Sequence, residues 1–227
     1  MQVIVMAGGR GQRIESIDSA LPKALLPVGN SCLLDLLIAE LKKAGATEVI
    51  ICAGYLANKI QNHLNATGST IVLIKEDEPL GTAGALGNIK HLLKHNFMVV
   101  NCDIIGNFSY SAFFSHHLNS SSFASAGIKL VDHTLNFGLV SLSPDGSIES
   151  VVEKPSWKRP VLTGVYAFQK QMVEMFLKEN TRVDMPDFIK IILEHFGPIQ
   201  SFEHQGTWLD IGTPEDYKKI QELSVHA

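Results

Sequence analysis

An apolar segment near the start of the chain runs directly into glycines and cations that could bind phosphate. Val3 to Met6 is followed by Ala7-Gly8-Gly9-Arg10-Gly11-Gln12-Arg13, and Pro22-Lys23 comes shortly afterwards. Glycines let backbone N–H groups approach an anion closely, and arginine and lysine side chains add positive charge. The pattern predicts a phosphate-binding turn after a buried strand, with a nucleoside triphosphate as the simplest ligand. The alternative is a tight turn that carries surface arginines.

This turn matches neither of the two most common glycine-rich nucleotide motifs. A P-loop places Lys-Ser or Lys-Thr after its glycines, and no such pair follows here. A dinucleotide fingerprint needs a third glycine or alanine where this chain has Ile14. A dehydrogenase is also disfavoured, because the second apolar run closes as Cys52-Ala53-Gly54 without an acidic residue.

Two widely separated aspartates are candidate metal ligands. Asp103 follows the apolar run 98–102, and Asp210 follows Trp208-Leu209. Burying an unpaired carboxylate is costly, whereas Mg²⁺ is typically held by one or two carboxylates together with phosphate oxygens. We expect Asp103 and Asp210 to hold Mg²⁺. The alternatives are a helix-capping role for Asp103 and a satisfied turn aspartate at Asp210.

An acidic run closes the third strand-like segment and bears on the identity of the base. Glu76-Asp77-Glu78 is followed by Pro79-Leu80 and then by the small residues Gly81 and Thr82. Small residues let a flat base pack against the backbone. Guanine presents two adjacent N–H donors that one carboxylate can accept, whereas uracil presents a single N–H between two carbonyls, which suits an amide better. The run therefore favours guanine over uracil, and a solvated charged turn remains the alternative.

Glu153-Lys154-Pro155 ends another strand-like run and could contact a phosphorylated sugar. Lys154 can hold a phosphate and Glu153 can accept hydrogen bonds from sugar hydroxyls, although a solvated ion pair has the same sequence. Thr163-Gly164 offers a small residue and a glycine where a substrate could approach the backbone.

Hydrophobic patterning predicts an α/β fold with a mostly parallel sheet, helices on both faces and an inserted antiparallel part. Because ligands bind at the carboxyl ends of strands in such sheets, the glycine turn and Asp103 are expected at one edge. Predicted strands are 2–7, 48–53, 70–74, 97–102, 122–131, 137–142, 148–153, 161–168 and 199–203; predicted helices are 33–41, 56–64, 82–93 with Thr82 as its cap, 111–118, 170–178, 186–196 and one from Pro214.

Composition describes an ordinary globular chain and excludes several classes. The 227 residues carry a formal charge of -4, which gives no electrostatic case for binding nucleic acid. The three cysteines are widely spaced and lie in or beside apolar runs, so buried free thiols and a reducing compartment are expected. Neither a secretory leader nor a membrane span is predicted, and the expected location is the cytoplasm.

The histidines and serines form none of the common catalytic motifs. Leu92 follows His91, so the spacing of His91 and His95 lacks the glutamate of a metalloprotease helix. These two and the pair His116-His117 are expected on helix surfaces without a role. A G-x-S-x-G nucleophile elbow is also absent.

The ordered set of motifs resembles the sugar-1-phosphate nucleotidylyltransferases, in particular their heptose and mannose 1-phosphate guanylyltransferase branch. The matching elements, spread over nearly the whole chain, are Ala7 to Arg13, Pro22 to Val28, Leu80 to Gly84, Asn101-Cys102-Asp103, Glu153 to Pro155, Thr163 to Tyr166 and Trp208 to Gly212. The departures are Gln12 for a usual Thr or Glu, Cys102 for a usual glycine, which can narrow the space near the metal, and Ser16 where many members carry proline.

The resemblance implies a Rossmann-like sheet of the nucleotide-diphospho-sugar transferase type, in one domain over residues 1–227. Residues 1–103 would bind the nucleotide and 104–227 the sugar phosphate. The implied reaction is attack of a sugar 1-phosphate on the α-phosphorus of GTP, with loss of pyrophosphate. The implied roles are catalysis by Arg13, Lys23 and Asp103, nucleotide binding by Ala7, Gly8, Gly9, Gly11, Gln12, Glu76, Gly81 and Thr82, sugar-phosphate binding by Gly138, Glu153, Lys154 and Thr163, and Mg²⁺ binding by Asp103 and Asp210.

Two other functions remain open at the level of sequence. One is a uridylyltransferase that acts on an amino-sugar 1-phosphate, in which case UTP replaces GTP as the nucleotide partner. The other is a non-catalytic nucleotide-binding homologue, which the presence of Arg13, Lys23, Asp103 and Asp210 disfavours. The chain is expected to act as a monomer or a homodimer, and the sequence does not specify the sugar.

Overall fold

Strands and helices alternate through the first part of the chain in the computed structural model, which describes residues 1–9, 18 and 20–224. The strands are short and apolar, and the helices carry their apolar residues on one face. The elements are β1 (Gln2–Met6), a 3₁₀ turn (Lys23–Leu25), β2 (Pro27–Val28), β3 (Ser31–Cys32), α1 (Leu33–Lys43), β4 (Glu48–Ala53), α2 (Ala57–Ala66), β5 (Val72–Lys75), α3 (Ala85–Asn88), a 3₁₀ turn (Lys90–Leu92) and β6 (Asn96–Asn101).

The second part contains longer strands and an antiparallel hairpin. Its elements are β7 (Ile104–Gly106), α4 (Tyr110–Asn119), β8 (Ala124–Thr134), β9 (Leu139–Leu142), β10 (Ile148–Val152), β11 (Ser156–Gln169), α5 (Lys170–Phe176), α6 (Met185–Phe196), β12 (Gln200–Glu203), β13 (Trp208–Asp210) and α7 (Pro214–Ser224). None of the helices in the described part of the chain is long and apolar enough to span a bilayer.

One seven-stranded sheet organises the molecule, with strand order β12-β8-β11-β6-β1-β4-β5. Strand β1 is parallel to β4 and β6, β4 to β5, and β12 to β8, while β11 is antiparallel to both β6 and β8. This confirms the predicted mostly parallel sheet with an antiparallel addition. Because β1 and β6 are parallel neighbours, the segments that follow them emerge side by side at one edge.

The core is split between the two faces of this sheet. Alternate residues of β1 serve each face, with Val3 and Val5 on one side and Ile4 and Met6 on the other. The first face is covered by α1, α2 and α4, and the second by α3, α5 and α6. The predicted helical layers on both faces are therefore confirmed.

The helix predicted over residues 82–93 was wrong in length and in its cap. Only α3, four residues long, is helical there, and a 3₁₀ turn follows it. A Cβ on Gly84 would lie 2.2 Å from the Leu80 carbonyl and 2.4 Å from that of Thr181, so close backbone packing replaces helix propagation. The Thr82 hydroxyl instead accepts a hydrogen bond from the Met185 N–H of α6 at 2.7 Å.

The histidine predictions hold only in part. His117 is 2% exposed rather than on the surface, because it lies one turn after the core residue Phe113 on the face of α4 that meets the sheet. Its Nδ1 lies 2.9 Å from Ser125 Oγ and its Nε2 3.2 Å from Asn96 Oδ1. His91 and His95 are exposed as expected, but neither lies in an α-helix.

Candidate active site

A cavity of about 770 Å³ opens where β1, β5 and β6 end. This is the edge at which ligands bind in parallel α/β sheets. Six separate segments contribute its walls, so the site depends on the sheet order rather than on any one motif. The lining residues are Met6, Ala7, Gly8, Gly9, Lys23, Ala24, Glu76, Pro79, Leu80, Gly81, Thr82, Asn101, Cys102, Asp103, Arg182, Asp184 and Gly212.

The glycine turn forms one wall of the cavity and is packed tightly against the end of β5. The Ala7 N–H donates to the Cys52 carbonyl at 2.7 Å, which continues the sheet pairing by one residue. A Cβ on Gly8 would lie 2.5 Å from Glu76 Oε1, so a larger residue at this position would displace the Glu76 carboxylate. Gly11, Gln12 and Arg13, to which the family resemblance assigns nucleotide-binding and catalytic roles, lie outside the described residues, as does Arg10.

Lys23 and Asp103 form an ion pair on the cavity wall. The Lys23 Nζ lies 2.5 Å from Asp103 Oδ2, and the two side chains are 14% and 25% exposed. Lys23 begins a 3₁₀ turn, and Asp103 follows β6. The pair therefore presents an ammonium group and a carboxylate side by side at the mouth of a ligand-sized pocket, where each can also contact a charged ligand.

Asp210 is brought next to Asp103 by a small antiparallel pairing. Strand β13 pairs with β7 so that Asp210 lies opposite Ile104, and the Ile211 N–H donates to the Asp103 carbonyl at 3.0 Å. Both carboxylates act on Tyr166, whose pKa burial raises to about 12 with a further contribution from the two negative charges. The two carboxylates, Asp103 in the turn between β6 and β7 and Asp210 at the end of β13, offer an all-oxygen donor set that fits a hard divalent cation.

Glu76 is an unusual carboxylate because it is almost fully buried in the wall of the cavity. It is 7% exposed, and its Oε1 atom has no hydrogen-bond partner among the residues that the structure describes. Burial raises the pKa of this carboxyl, and a hydrogen bond from the Leu80 backbone opposes the shift. Because Glu76 lines the cavity, its carboxylate is a candidate acceptor for a ligand with N–H groups.

The Leu80–Gly84 segment is fixed by a segment one hundred residues away in sequence. The N–H groups of Ala83 and Gly84 both donate to the Val183 carbonyl, at 3.0 and 3.1 Å, and the Val183 N–H donates to Leu80. Gly81 has a φ of +76°, and a Cβ there would lie 2.5 Å from the Val183 carbonyl. Both the backbone conformation and the close approach therefore require glycine at this position.

This packing adds two charged residues to the cavity that sequence reasoning missed. Arg182 lines the cavity and is exposed, and Asp184 Oδ1 accepts a hydrogen bond from the Thr82 N–H at 3.3 Å. The only sequence signal is a cation and a carboxylate just before the proline-containing first turn of α6. No local pattern connects that position with residues 80–84.

The residues predicted to bind the sugar phosphate do not line this cavity. Gly138 lies beside Glu153, whose Oε2 would be 3.3 Å from a Cβ at that glycine. Lys154 has a φ of +43° and lies between β10 and β11. Thr163 is buried, and its carbonyl accepts a hydrogen bond from the Trp208 indole at 3.0 Å. The neighbouring Gly164 packs against Asn101, which does line the cavity.

The model of the nucleotidyl transferase family matches residues 2–225, so this chain belongs to that family. Among curated relatives, mannose-1-phosphate guanyltransferase beta-A of Xenopus laevis is 28% identical over 227 residues, which cover 96% of this chain and 62% of that protein. Mannose-1-phosphate guanylyltransferase catalytic subunit beta of Danio rerio is 29% identical over the same shares. The chain thus spans less than two thirds of the length of these relatives.

Solved structures of similar proteins have the same fold over nearly the whole chain. HddC from Yersinia pseudotuberculosis is 26% identical, with a TM-score of 0.74 and 98% of both chains covered. A second structure of that protein, complexed with GMP-PN, matches with a TM-score of 0.75 over the same shares. The similarity extends over the whole sheet, including the strands that form the cavity.

Proposed function

We propose that this chain transfers a nucleoside monophosphate from GTP to a sugar 1-phosphate, giving a nucleoside diphosphate sugar and pyrophosphate. The observation that carries the proposal is the convergence of the glycine turn, Lys23, Asp103 and Asp210 at one edge of the sheet. These groups come from four distant parts of the sequence, and together they offer N–H donors, an ammonium and carboxylates. That combination suits a polyphosphate ligand.

In the proposed reaction a phosphate oxygen of the sugar 1-phosphate attacks the α-phosphorus of the nucleotide. A new P–O bond forms to the α-phosphorus, the bond from the α-phosphorus to the α–β bridging oxygen breaks, and pyrophosphate leaves with that electron pair. No covalent enzyme intermediate is required, so catalysis consists of positioning and of neutralising charge. Lys23, together with Arg13 from the undescribed part of the turn, would stabilise the charge on the phosphates.

Members of the nucleotidyl transferase family generally use a divalent metal ion. We propose Mg²⁺, held by Asp103 and Asp210, because oxygen ligands are the ones this ion prefers. When bound, the ion would neutralise phosphate charge during the transfer. Lys23, which pairs with Asp103 at 2.5 Å, orients that carboxylate at the edge of the cavity.

Base recognition is assigned to the wall formed by Gly8, Glu76, Gly81 and Thr82. The unpartnered and buried Oε1 of Glu76 is a hydrogen-bond acceptor at the cavity, and guanine supplies the paired N1–H and N2–H donors that suit a carboxylate. The glycines leave room for a flat ring. The guanylyltransferase names of the relatives and the GMP-PN complex of HddC support the same choice of base.

The sugar 1-phosphate is assigned to the segment that carries Gly138, Glu153, Lys154 and Thr163. The contact of Gly164 with Asn101, which lines the nucleotide cavity, supports this assignment at the Thr163 end of the segment. We propose a hexose or heptose 1-phosphate, with mannose 1-phosphate as the first candidate because of the relatives' names.

The same proposal treats residues 1–227 as one nucleotidyltransferase domain that acts in the cytoplasm as a monomer or homodimer. Cys32, Cys52 and Cys102 are all buried free thiols, which supports a reducing compartment. Size-exclusion chromatography with light scattering distinguishes the two oligomeric states.

The test is a matrix of GTP, UTP, ATP and dTTP against mannose, glucose, glucosamine and heptose 1-phosphates, scored by pyrophosphate release. The proposal expects GTP with a hexose or heptose 1-phosphate to give the highest kcat/KM, and expects Asp103→Asn to abolish it. Preference for UTP with an amino-sugar 1-phosphate would replace the assigned base and sugar. Absence of turnover with every pair would leave a nucleotide-binding protein and would refute the enzymatic assignment.

A further inference from the structure

Helices α1 and α2 share a cluster of metal-ligating side chains that the proposed reaction does not use. Cys32 immediately precedes α1, Asp35 lies in its first turn, and His63 lies in the last turn of α2. One ligand atom from each lies within 4.8 Å of the other two. No other group of three such residues with this spacing occurs in the part of the chain that the structure describes.

The three groups converge on the Nε2 atom of His63. This nitrogen lies 2.9 Å from both carboxylate oxygens of Asp35 and 3.7 Å from the Sγ of Cys32. Tetrahedral zinc with bonds of about 2.0–2.3 Å places neighbouring ligand atoms about 3.4–3.6 Å apart. The observed separations therefore need only a small adjustment, of order 0.5 Å, to accept the ion.

The scaffold around the cluster is rigid, and the cluster is still accessible. Leu34, Ile38, Ile60 and Leu64 of the two helices are buried in the same core, so the helix positions are fixed independently of any ion. Cys32 is 7% exposed, whereas the side chains of His63 and Asp35 are 27% and 33% exposed. An ion can reach the cluster from solvent on the side of His63 and Asp35.

The start of α1 offers backbone N–H groups to the Cys32 sulfur. Backbone N–H groups of Leu34 and Asp35 donate to Cys32, and negative charge is favoured at a helix N-terminus. Without a cation, burial raises the pKa of the Cys32 thiol to about 11, so it is not a free thiolate nucleophile. Zinc is the borderline-soft divalent ion that takes sulfur, imidazole and carboxylate together.

We propose that Cys32, Asp35 and His63 form a zinc site that links the start of α1 to the end of α2, with water in the fourth position. Binding displaces the thiol proton and connects two helices across the same face of the sheet. Cys32 also pairs with Pro27 in the short β2–β3 ribbon. The site therefore lies on the segment that connects Lys23 to α1, outside the nucleotide cavity.

Cobalt(II) titration of the full-length, metal-free protein tests this site, because a thiolate ligand to cobalt produces a sulfur-to-metal charge-transfer band. The band should saturate at one ion per chain and be displaced by zinc. It should be lost in Cys32→Ala and lost or strongly weakened in His63→Ala, which keeps the thiol. The matched controls Cys102→Ala and Asp103→Asn should retain the band. They remove a cysteine and a carboxylate that line the nucleotide cavity and do not belong to the proposed zinc site.

Thermal unfolding gives a second readout that does not depend on activity. Zinc at one hundred times its Kd should raise the Tm of the native protein by about 5–10 °C and leave that of His63→Ala unchanged. Circular dichroism establishes that each variant is folded. Absence of the charge-transfer band, or a band that survives both Cys32→Ala and His63→Ala, would overturn the proposal.

Discussion

Replacing Glu76 by glutamine tests the assigned base recognition at the position where the structure is most specific. Glu76 is 7% exposed, lines the cavity, and has an Oε1 atom without a hydrogen-bond partner among the described residues. In the glutamine variant one oxygen becomes an NH₂ group, which would face an N–H donor of guanine. A hydrogen bond to a charged group contributes about 1.5–3 kcal/mol, so kcat/KM for GTP should fall about 10- to 100-fold.

In the absence of nucleotide, the same substitution should raise the free energy of unfolding of the protein. Burial raises the pKa of Glu76 in the folded state. Protonation of this carboxyl therefore stabilises the fold fully below the unfolded-state pKa, and this stabilisation is lost as pH rises through the folded-state pKa. Above the folded-state pKa the ionised carboxylate is buried without a full set of hydrogen bonds, which costs about 1–3 kcal/mol. Glutamine avoids this cost of a buried charge, and the Tm should rise by about 2–10 °C.

Two measurements check this prediction. Steady-state pyrophosphate release compares GTP with UTP, and thermal unfolding of the free protein is recorded at pH 8 and again at an acidic pH, where the gain should shrink. Glu78→Gln is the matched control, because Glu78 belongs to the same acidic run but is exposed. An unchanged kcat/KM for GTP would refute the base assignment, and a lower Tm at pH 8 would refute the argument from burial.

Four further substitutions address Lys23, the cavity-lining Arg182, the contact of Thr82 with α6 and the buried His117. Lys23→Ala should lower kcat about 10²- to 10³-fold, with an unchanged circular dichroism spectrum, because it removes a cation from the charged transition state; a near-normal rate would contradict this role. Arg182→Ala should raise the KM for the nucleotide about ten-fold through loss of a charge-assisted hydrogen bond, which initial-rate kinetics would detect. Thr82→Val removes the acceptor for the Met185 N–H and should lower the free energy of unfolding in urea by about 1 kcal/mol. Burial lowers the pKa of His117 from 6.5 to about 4, so its stability contribution is complete above the unfolded pKa and is lost as pH falls toward the folded one. His117→Gln should therefore reduce acid destabilisation between pH 6.5 and 4 by up to about 3 kcal/mol, measured by urea unfolding across that range; an unchanged pH dependence would argue against a neutral buried histidine.

The strands and most helices could be predicted from sequence because the information is local. β1, β4 and β6 are uninterrupted apolar runs, and α1 repeats its leucines at helical spacing. The exception is the segment 82–93, where alanine and glycine allow a helix but backbone contacts with residues 178–183 override it. His117 was misplaced for a related reason, since the sequence does not show which face of α4 meets the sheet.

The sequence alone was enough to predict a phosphate-containing ligand. Glycines after a buried strand, Pro22-Lys23, and aspartates after two further apolar runs indicate a phosphate and a cation whatever the strand order is. These inferences rest on residue chemistry and on the rule that parallel strands end at a common edge.

Which of these groups lie in contact follows only from the folded arrangement. It placed Glu76 against Gly8, brought Asp210 beside Asp103 through the β7–β13 pairing, and added Arg182 and Asp184 to the cavity. It also joined Cys32 to His63 across two helices. Such contacts depend on how the strands are ordered and how the helices pack on them, and this order follows from the burial of whole faces rather than from any short stretch of residues.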